Sequence, residues 1–197
     1  MRQGFMLSAL VPGGFVVESA AFESAAALIV VRAAGGASAC PGCGTRSVRV
    51  HSRYHRRVSD LPIAGRPVRL LVMARRFYCD AVLCGRRIFA ERFDDSLLAP
   101  RARRTARLDH LVHHLGLALG GRPAASFARR LMLPVSNDTL LRVVRRRGSP
   151  RIVPPTVIGI DDWAWRRNQR YGTIICDLER RRTIALLPDR EPATATA

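Results

Sequence analysis

Four of the five cysteines in this 197-residue chain form two close pairs, Cys40 with Cys43 and Cys79 with Cys84. Two thiolates separated by two residues can bind one metal ion from a tight turn, and a second pair completes a tetrahedral set of ligands. A proline and a glycine between the first two cysteines favour the bend that such a turn needs. The spacing therefore predicts a structural zinc ion and a small β fold that depends on the metal.

Two other assignments are compatible with parts of this pattern. A Cys-x-x-Cys pair also occurs in redox proteins, but a redox motif does not require the second pair. His51 and His55 have the spacing of zinc-finger histidines, but only seven residues separate Cys43 from His51. A finger with a strand hairpin and a helix needs about twelve residues there. We therefore expect four cysteine ligands, with both histidines at the surface or in contact with phosphates.

The charge of the chain predicts a polyanionic partner. All 33 basic residues are arginines, and against 15 acidic residues they give a net charge of +18. Residues 40–92 and residues 101–151 carry 12 arginines each, with three and two acids respectively, whereas residues 152–197 are nearly balanced. The planar guanidinium group suits phosphates and guanine edges. Nucleic acid is therefore the expected partner.

The sequence does not favour a membrane as the competing polyanion. No stretch approaches the about 18 apolar residues of a spanning helix, and no basic amphipathic helix opens the chain. The N-terminal residues also lack the succession of charged, apolar and cleavage regions that makes up a signal peptide. An odd number of cysteines, four of them in metal spacing, suits a reducing compartment. We expect a cytoplasmic, nucleoid-associated protein without a membrane partner.

Residues 1–98 are predicted to form a β domain of zinc-ribbon type, with its zinc core at 40–90. Strands are expected at 15–19, 27–32, 48–54 and 68–78, where β-branched and aromatic residues recur between turn signals. Residues 98–100 indicate a linker, and apolar residues at a helical period predict a helix over 101–119.

Residues 101–148 are predicted to contain a helix-turn-helix. Two short helices, with Pro123 near the start of the first and Ser136 as the N-cap of the second, are joined by about four residues. The second helix of such a motif enters the major groove. Leu140, Leu141 and Val144 are expected to face the core. The predicted DNA-binding residues are Ser136, Asn137, Thr139, Arg142, Arg145 and Arg146.

Residues 156–197 read as three further strands, at 156–160, 171–179 and 183–187. The first strand ends in Asp161 and Asp162. A meander with an acid at the tip of its first strand is how ribonuclease-H-like domains begin, where the acid holds a divalent metal at a phosphodiester. The alternative is a solvated pair of acids at a strand end. The expected fold is α+β: a zinc-stapled β domain, a helix-turn-helix domain and the first strands of a ribonuclease-H-like α/β domain.

Taken together, these segments resemble the insertion-sequence transposases of the ISL-three family. The similarity covers almost the whole chain, in the order zinc module, helix-turn-helix and catalytic start. The matching stretches are Cys40–Gly44, Val50–Tyr54, Asp60–Pro62, Gly65–Val68, Arg75–Cys79, Cys84 with Arg87–Glu91, Ser136–Leu140 and Ile158–Asp162.

The resemblance implies a DDE transposase, in which three acidic residues bind Mg²⁺ ions that activate water and then a strand-end hydroxyl. Asp161 matches the first acid, with Asp162 as the adjacent alternative. The second Asp and the Glu have no counterparts here, and family members continue beyond this point. We therefore expect a truncated chain that is catalytically incomplete by itself.

The expected function is thus that of the DNA-binding N-terminal portion of a DDE transposase, recognising the terminal repeats of an insertion element. Zinc is the structural cofactor, held by Cys40, Cys43, Cys79 and Cys84. Mg²⁺ is expected only in the complete catalytic domain. The other hypothesis is a free-standing, non-enzymatic DNA-binding regulator that inhibits the parent transposase. The expected partner is double-stranded DNA, with a second copy of the chain or the full-length transposase as further candidates.

Overall fold

The mixed α+β character predicted from the sequence is confirmed by a computed structural model, which describes residues 10–147, 153–166 and 170–195. The chain divides into two units, Met1–Gly148 and Ser149–Ala197. The first contains a β-sheet, the four paired cysteines and three longer helices. The second contains a small sheet of its own.

A five-stranded sheet forms the centre of the first unit. Its spatial order is β1, β2, β6, β5, and β7 pairs with the end of β6. Strands β2 and β6 run parallel, whereas the other neighbours are antiparallel. A separate two-stranded ladder joins β3 to β4. The strands are β1 (Phe15–Phe22), β2 (Ala27–Ala33), β3 (Ser38–Ala39), β4 (Arg46–Ser47), β5 (Val50–Ile63), β6 (Arg66–Tyr78) and β7 (Ile88–Ala90).

The two faces of this sheet differ because side chains alternate along each strand. On one face, aliphatic side chains are buried: Ile29, Val31, Val58, Leu70 and Val72. The short helix α1 (Asp95–Leu98) packs against them through Leu97 and Leu98. The opposite face, here called the open face, carries exposed arginines that include Arg57 and Arg69.

Three helices complete the first unit: α2 (Ala106–Leu119), α3 (Arg122–Arg130) and α4 (Asn137–Arg147). They enclose a small core of their own, formed by Leu108, Val112, Ala124, Ala128, Leu133, Leu140 and Val143. Within the described ranges, no helix is both long enough and apolar enough to cross a lipid bilayer.

The first of these helices begins later than the predicted start at residue 101. Thr105 caps α2, because its Oγ1 accepts a hydrogen bond from the amide of Leu108 at 3.4 Å. The residues before the cap pair with β5 instead. The amide of Ser59 donates to the carbonyl of Arg103 at 2.9 Å, and the amide of Thr105 donates to the carbonyl of Ser59 at 3.0 Å. Residues 103–105 therefore extend the sheet as a short parallel segment on the free edge of β5.

A buried carboxylate, Asp60 on β5, fastens the helices to the sheet. Thr105 donates from Oγ1 to Asp60 Oδ1 at 2.6 Å, and Arg107 donates from Nε and Nη2 to the two oxygens at 2.8 and 2.6 Å. Arg107 also donates to the carbonyl of Leu10 at 3.0 Å. The Asp60 side chain is 0% exposed. Its charge is thus matched by one guanidinium group, and its hydrogen-bonding capacity is completed by a hydroxyl.

The second unit is a three-stranded antiparallel sheet in the order β10, β9, β8. Its elements are β8 (Ile158–Arg166), β9 (Arg170–Asp177), β10 (Arg182–Leu187) and the short helix α5 (Pro192–Ala195). Asp177 is buried at the end of β9, where Arg180 and Arg182 contact its carboxylate at 2.9 and 3.7 Å. This pairing lets the acid tolerate burial.

Every strand predicted from the sequence has a counterpart in the structure, but β5 and β8 are longer than expected. Strand β5 extends to Ile63, and β8 extends to Arg166, so Asp161 lies within its strand and not at the predicted strand end. The prediction for β5 stopped at Tyr54 because the following arginines break the apolar pattern. Arg56 and Arg57 are adjacent and point to opposite faces of the strand: Arg57 is exposed, whereas Arg56 is half-buried and donates to the carbonyl of Ala102 at 2.9 Å. The domain boundaries 1–98, 101–148 and 156–197 remain predictions, as do the helix-turn-helix and ribonuclease-H-like assignments.

Replacing Asp60 with alanine is expected to lower the free energy of unfolding by about 3 kcal/mol, because Arg107 would lose its counter-charge and Thr105 its acceptor. Urea unfolding followed by circular dichroism measures the change. The matched control is Glu18→Ala, which removes an exposed ion pair with Arg32 and should cost less than about 1 kcal/mol. Equal effects of the two substitutions would contradict a fastening role for Asp60.

Candidate metal centre and nucleic-acid interface

Four sulfur atoms meet beside the end of β6. Cys40 follows β3, Cys43 lies in the turn before β4, Cys79 follows β6, and Cys84 precedes β7. Their Sγ atoms all lie within 4.8 Å of one another. The short Sγ–Sγ distances each link a cysteine of the first sequence pair to one of the second: Cys40 to Cys84 at 3.8 Å and Cys43 to Cys79 at 3.5 Å. The structure therefore brings together the four cysteines that the spacing selected.

These separations fit a zinc ion. With Zn–S bonds of about 2.3 Å, a tetrahedral arrangement places the sulfur atoms about 3.8 Å apart. A disulfide would instead bring two of them to about 2.05 Å, and all four thiols are free. The cluster has the donor set and the spacing of a structural zinc site, in which four thiolates leave no position for water.

The backbone of the first turn favours thiolates at two of these positions. The amide of Gly42 donates to Cys40 Sγ at 3.4 Å, and this hydrogen bond lowers the pKa of Cys40 although burial opposes it. The hydroxyl of Thr45 lies 3.3 Å from Cys43 Sγ, and together with the Thr45 amide it lowers the pKa of Cys43 to about 6. Zinc binds the deprotonated form of both side chains.

Cys79 shows why a cation is needed to complete the cluster. A backbone hydrogen bond from Ala81 lowers the pKa of Cys79, but burial and the neighbouring thiols outweigh it and raise that pKa to about 12. Four sulfur atoms this close cannot all ionise in the absence of a positive charge. A bound zinc ion supplies that charge and deprotonates the thiols that coordinate it.

The aromatic residues beside Cys79 have different environments. Phe77 is fully buried and stacks on Phe89, with ring centroids 5.8 Å apart, in the small core that also contains Cys40. Tyr78 is partly exposed and meets His51 edge to face at 5.0 Å. The predicted surface location of His51 and His55 is confirmed, since both are exposed and lie outside the sulfur cluster.

The second candidate site is the start of α4, which six residues, 131–136, connect to α3. The predicted N-cap is confirmed, because the amide of Thr139 donates to Ser136 Oγ at 3.3 Å. The two hydroxyl groups also lie 3.0 Å apart. Asn137 is half-buried and donates to Asp138 at 3.3 Å. Ser136 and Thr139 are therefore already engaged with each other at this end of the helix.

One side of α4 faces the helical core and the other faces solvent. Leu140 and Val143 are buried, and the predicted Val144 is half-buried with its Cγ2 against Gly116 of α2. Arg142 and Arg145 are exposed on the outer side. Neither guanidinium group forms an ion pair with any residue that the structure describes.

The far end of α4 is held by Asp109, an acid on α2 that the sequence did not single out. It accepts from Arg146 at 2.7 Å, from Arg147 at 3.1 Å and from Arg104 at 2.9 Å. Burial raises the pKa of Asp109, but Arg104 and Arg146 outweigh it and hold that pKa below its usual range. Arg146 is thus part of an internal ion-pair network. Only the packing of α2 on α4 reveals this, since the partners are 37 residues apart.

Asp161 and Asp162 lie exposed in β8 of the second unit. Asp162 pairs with Arg190 at 2.7 Å, and Asp161 Oδ1 accepts from the Asp162 amide at the same distance. Within residues 153–166 and 170–195, no third carboxylate joins them in a metal-binding group. The described residues therefore do not assemble the three-carboxylate Mg²⁺ site that the resemblance implies. The role of Asp161 as the first acid stays a prediction.

Comparison with known proteins agrees with the metal centre. Residues 37–84 match the family described as the zinc-finger of transposase IS204/IS1001/IS1096/IS1165, and this segment contains all four converging cysteines. The transposase for insertion sequence element IS1001 of Bordetella parapertussis is 30% identical over 168 residues. That alignment covers 80% of this chain but only 38% of the relative. No solved structure gives a significant match.

Replacing Cys79 with serine is expected to abolish stoichiometric zinc binding and to unfold the cysteine-rich end of the sheet, because three thiolates cannot close the site. Zinc content by atomic absorption and thermal unfolding measure both effects, and a chelator should reproduce them in the unmodified protein. Cys176→Ser is the matched control, since that cysteine lies on β9 outside the cluster. Retention of zinc by Cys79→Ser, or its loss from Cys176→Ser, would contradict the assignment.

Proposed function

This chain is related to the ISL-three family of insertion-sequence transposases, and we propose that it binds duplex DNA at the terminal repeats of such an element. The net charge of +18 supports a polyanionic partner. The zinc-finger match covers residues 37–84, and the relative with 30% identity is a transposase. In this proposal the paired cysteines hold a structural zinc ion, and the helices α3 and α4 form a helix-turn-helix.

The exposed side of α4 is the observation that carries the proposal. Leu140 and Val143 anchor the helix to the core, and Arg142 and Arg145 extend from its other side without an ion pair in the described part of the chain. A helix fixed in this way can enter the major groove with its basic side toward the bases. Arginine then recognises guanine through two hydrogen bonds to O6 and N7. We assign base contacts to Arg142 and to Asn137, which is nearer the start of the helix.

The other predicted contacts divide according to their surroundings. Ser136 and Thr139 cap the helix, so we assign their hydroxyls and the free amides of this helix start to a phosphate rather than to a base. Arg145 lies further along the exposed side and is assigned to the backbone of the duplex. Arg146 is held by Asp109, and its contribution is mainly to keep α4 in place.

The zinc ion has a supporting role in this function. Its four ligands join the β3–β4 ladder to the ends of β6 and β7, where the core consists of Cys40, Phe77 and Phe89. So small a core does not fold without a staple. We infer that the metal stabilises a DNA-binding surface and takes no part in the chemistry of transposition.

The chain spans less than half the length of the transposase that it resembles, so strand transfer is itself a proposal here. We propose that Asp161 contributes the first acid of a Mg²⁺ site in such a reaction. The DNA-binding surface on α4 does not include this residue. Substitutions on α4 and at Asp161 should therefore affect duplex recognition and strand transfer separately.

Binding to a duplex that carries the element's terminal repeat is expected to exceed binding to a scrambled duplex of equal length at moderate salt. Arg142→Ala should weaken binding to the repeat about 10- to 100-fold, because one bidentate base contact contributes about 1–3 kcal/mol of discrimination. Fluorescence anisotropy with both duplexes measures the preference.

The matched control is Arg181→Ala, which removes an exposed arginine from the turn between β9 and β10. It should leave the preference for the repeat unchanged. Equal affinity of the unmodified protein for both duplexes would overturn sequence-specific recognition. Equal losses in the two variants would mean that only total charge matters.

A further inference from the structure

Exposed arginines form a path from the open face of the sheet to α4. One groove on the open face is lined by Arg57, Arg69 and Arg103, together with Leu28 and Leu71. A second groove, beside α4, is lined by Arg103, Arg104, Thr139, Arg142 and Arg146. Arg103 lines both grooves and therefore lies between them. We call Arg57, Arg69, Arg103 and Arg142 the arginine track.

The backbone fixes the position of Arg103 between the two grooves. Residues 103–105 pair with Ser59 on the free edge of β5, through the hydrogen bonds between Ser59 and Arg103 and between Thr105 and Ser59. Asp60 then holds Thr105 and Arg107 from the buried side. Arg103 is therefore attached to the sheet although it directly precedes the helices, and it cannot move independently of either.

The register of the sheet spreads the charges along the path. Arg57 pairs with Leu71, and Ser59 pairs with Arg69, so the two arginines are diagonal neighbours on the open face. Diagonal neighbours on adjacent strands lie about 7–8 Å apart, with their Cβ atoms somewhat closer. The two arginines therefore present their guanidinium groups side by side on one face of the sheet. They match successive charges along an extended polyanion.

The track also lacks internal counter-charges. In the part of the chain that the structure describes, none of its four arginines forms an ion pair, whereas Arg32, Arg49, Arg75 and Arg107 each pair with an acid. Asp109, which lies near the second groove, is already shared by Arg104, Arg146 and Arg147. Glu23, on the turn after β1, is the acid that lines the first groove.

We propose that the arginine track holds the sugar-phosphate backbone of the DNA that flanks the segment recognised by α4. This inference rests on the proposed function, in which α4 binds duplex DNA, and extends the binding site onto the β-sheet. In this arrangement the sheet does not read the base sequence. Its arginines contact phosphates, which adds affinity and fixes the direction in which the flanking DNA leaves α4.

The test compares Arg57→Ala/Arg69→Ala with the unmodified protein on two duplexes, one ending at the terminal repeat and one continuing into flanking DNA. On the long duplex the double variant should bind about tenfold more weakly, and the slope of log K against log salt should fall in magnitude by about 2, as expected for two lost phosphate contacts. The loss should be the same for repeat and scrambled sequences. On the short duplex the two proteins should bind alike.

Arg32→Ala is the matched control, because Arg32 lies on the same face of the sheet but is neutralised by Glu18. It should bind both duplexes as the unmodified protein does. Arg57→Gln/Arg69→Gln keeps the length and polarity of the side chains without their charge and should behave like the alanine double variant. Unchanged zinc content and circular dichroism establish that each variant is folded.

The outcomes separate this inference from the proposed function. If the unmodified protein prefers the repeat and Arg142→Ala loses that preference, while the double variant binds the long duplex with unchanged affinity and salt slope, the track does not contact DNA. A loss of equal size in Arg32→Ala would also overturn the inference, because it would reflect total charge. If the unmodified protein binds neither duplex, the proposed function itself fails.

Discussion

The placement of the helices depends on one buried carboxylate. Asp60 points from β5 into the interior, where it accepts from Thr105, the residue that caps α2, and from the guanidinium group of Arg107, two residues later. Thr105 thus acts twice: it donates to Asp60 and accepts from the amide of Leu108. The start of α2 and the edge of the sheet therefore form together. This contact acts together with the pairing of residues 103–105 with Ser59 and with the packing of Leu61 against the helical core of Leu108, Val112 and their neighbours.

The cysteine cluster performs a comparable task at the other end of the β5–β6 hairpin. At that end few side chains are buried: Phe77, Phe89 and Cys40. A buried ion pair between Arg75 and Glu91 ties β6 to the segment after β7, and Arg75 also donates to the carbonyl of Gly35 at 2.6 Å. Hydrogen-bonded charge pairs, together with the zinc ion that we propose for the cysteine cluster, replace the apolar area that this end lacks.

Much of the fold could be predicted because it depends on short-range patterns. The cysteine spacing, the N-cap of α4 and the strand alternation of β2 and β6 each occupy a few consecutive residues, and each has its counterpart in the structure. Features that join distant residues were not accessible in this way. The pairing of residues 103–105 with β5, the role of Asp60 and the three-arginine contact of Asp109 all join segments brought together only by folding. The late start of α2 belongs to the same class, because a tertiary pairing overrides the helical period of residues 101–105.

The distribution of acids explains how a chain so rich in arginine can present a strongly basic surface and still fold. Three of the nine acids in the first unit, Asp60, Glu91 and Asp109, bind guanidinium groups while half or fully buried, and the other six are exposed. An acid that forms ion pairs inside the fold neutralises its own partners and does not neutralise the other, exposed arginines. The remaining arginines on β5, β6, the edge segment and α4 therefore keep their full charge in water. The excess of arginines over acids makes the outer surface positive, and the three acids used inside the fold add to that imbalance, so the affinity of the surface for a polyanion depends in part on the way in which the chain folds.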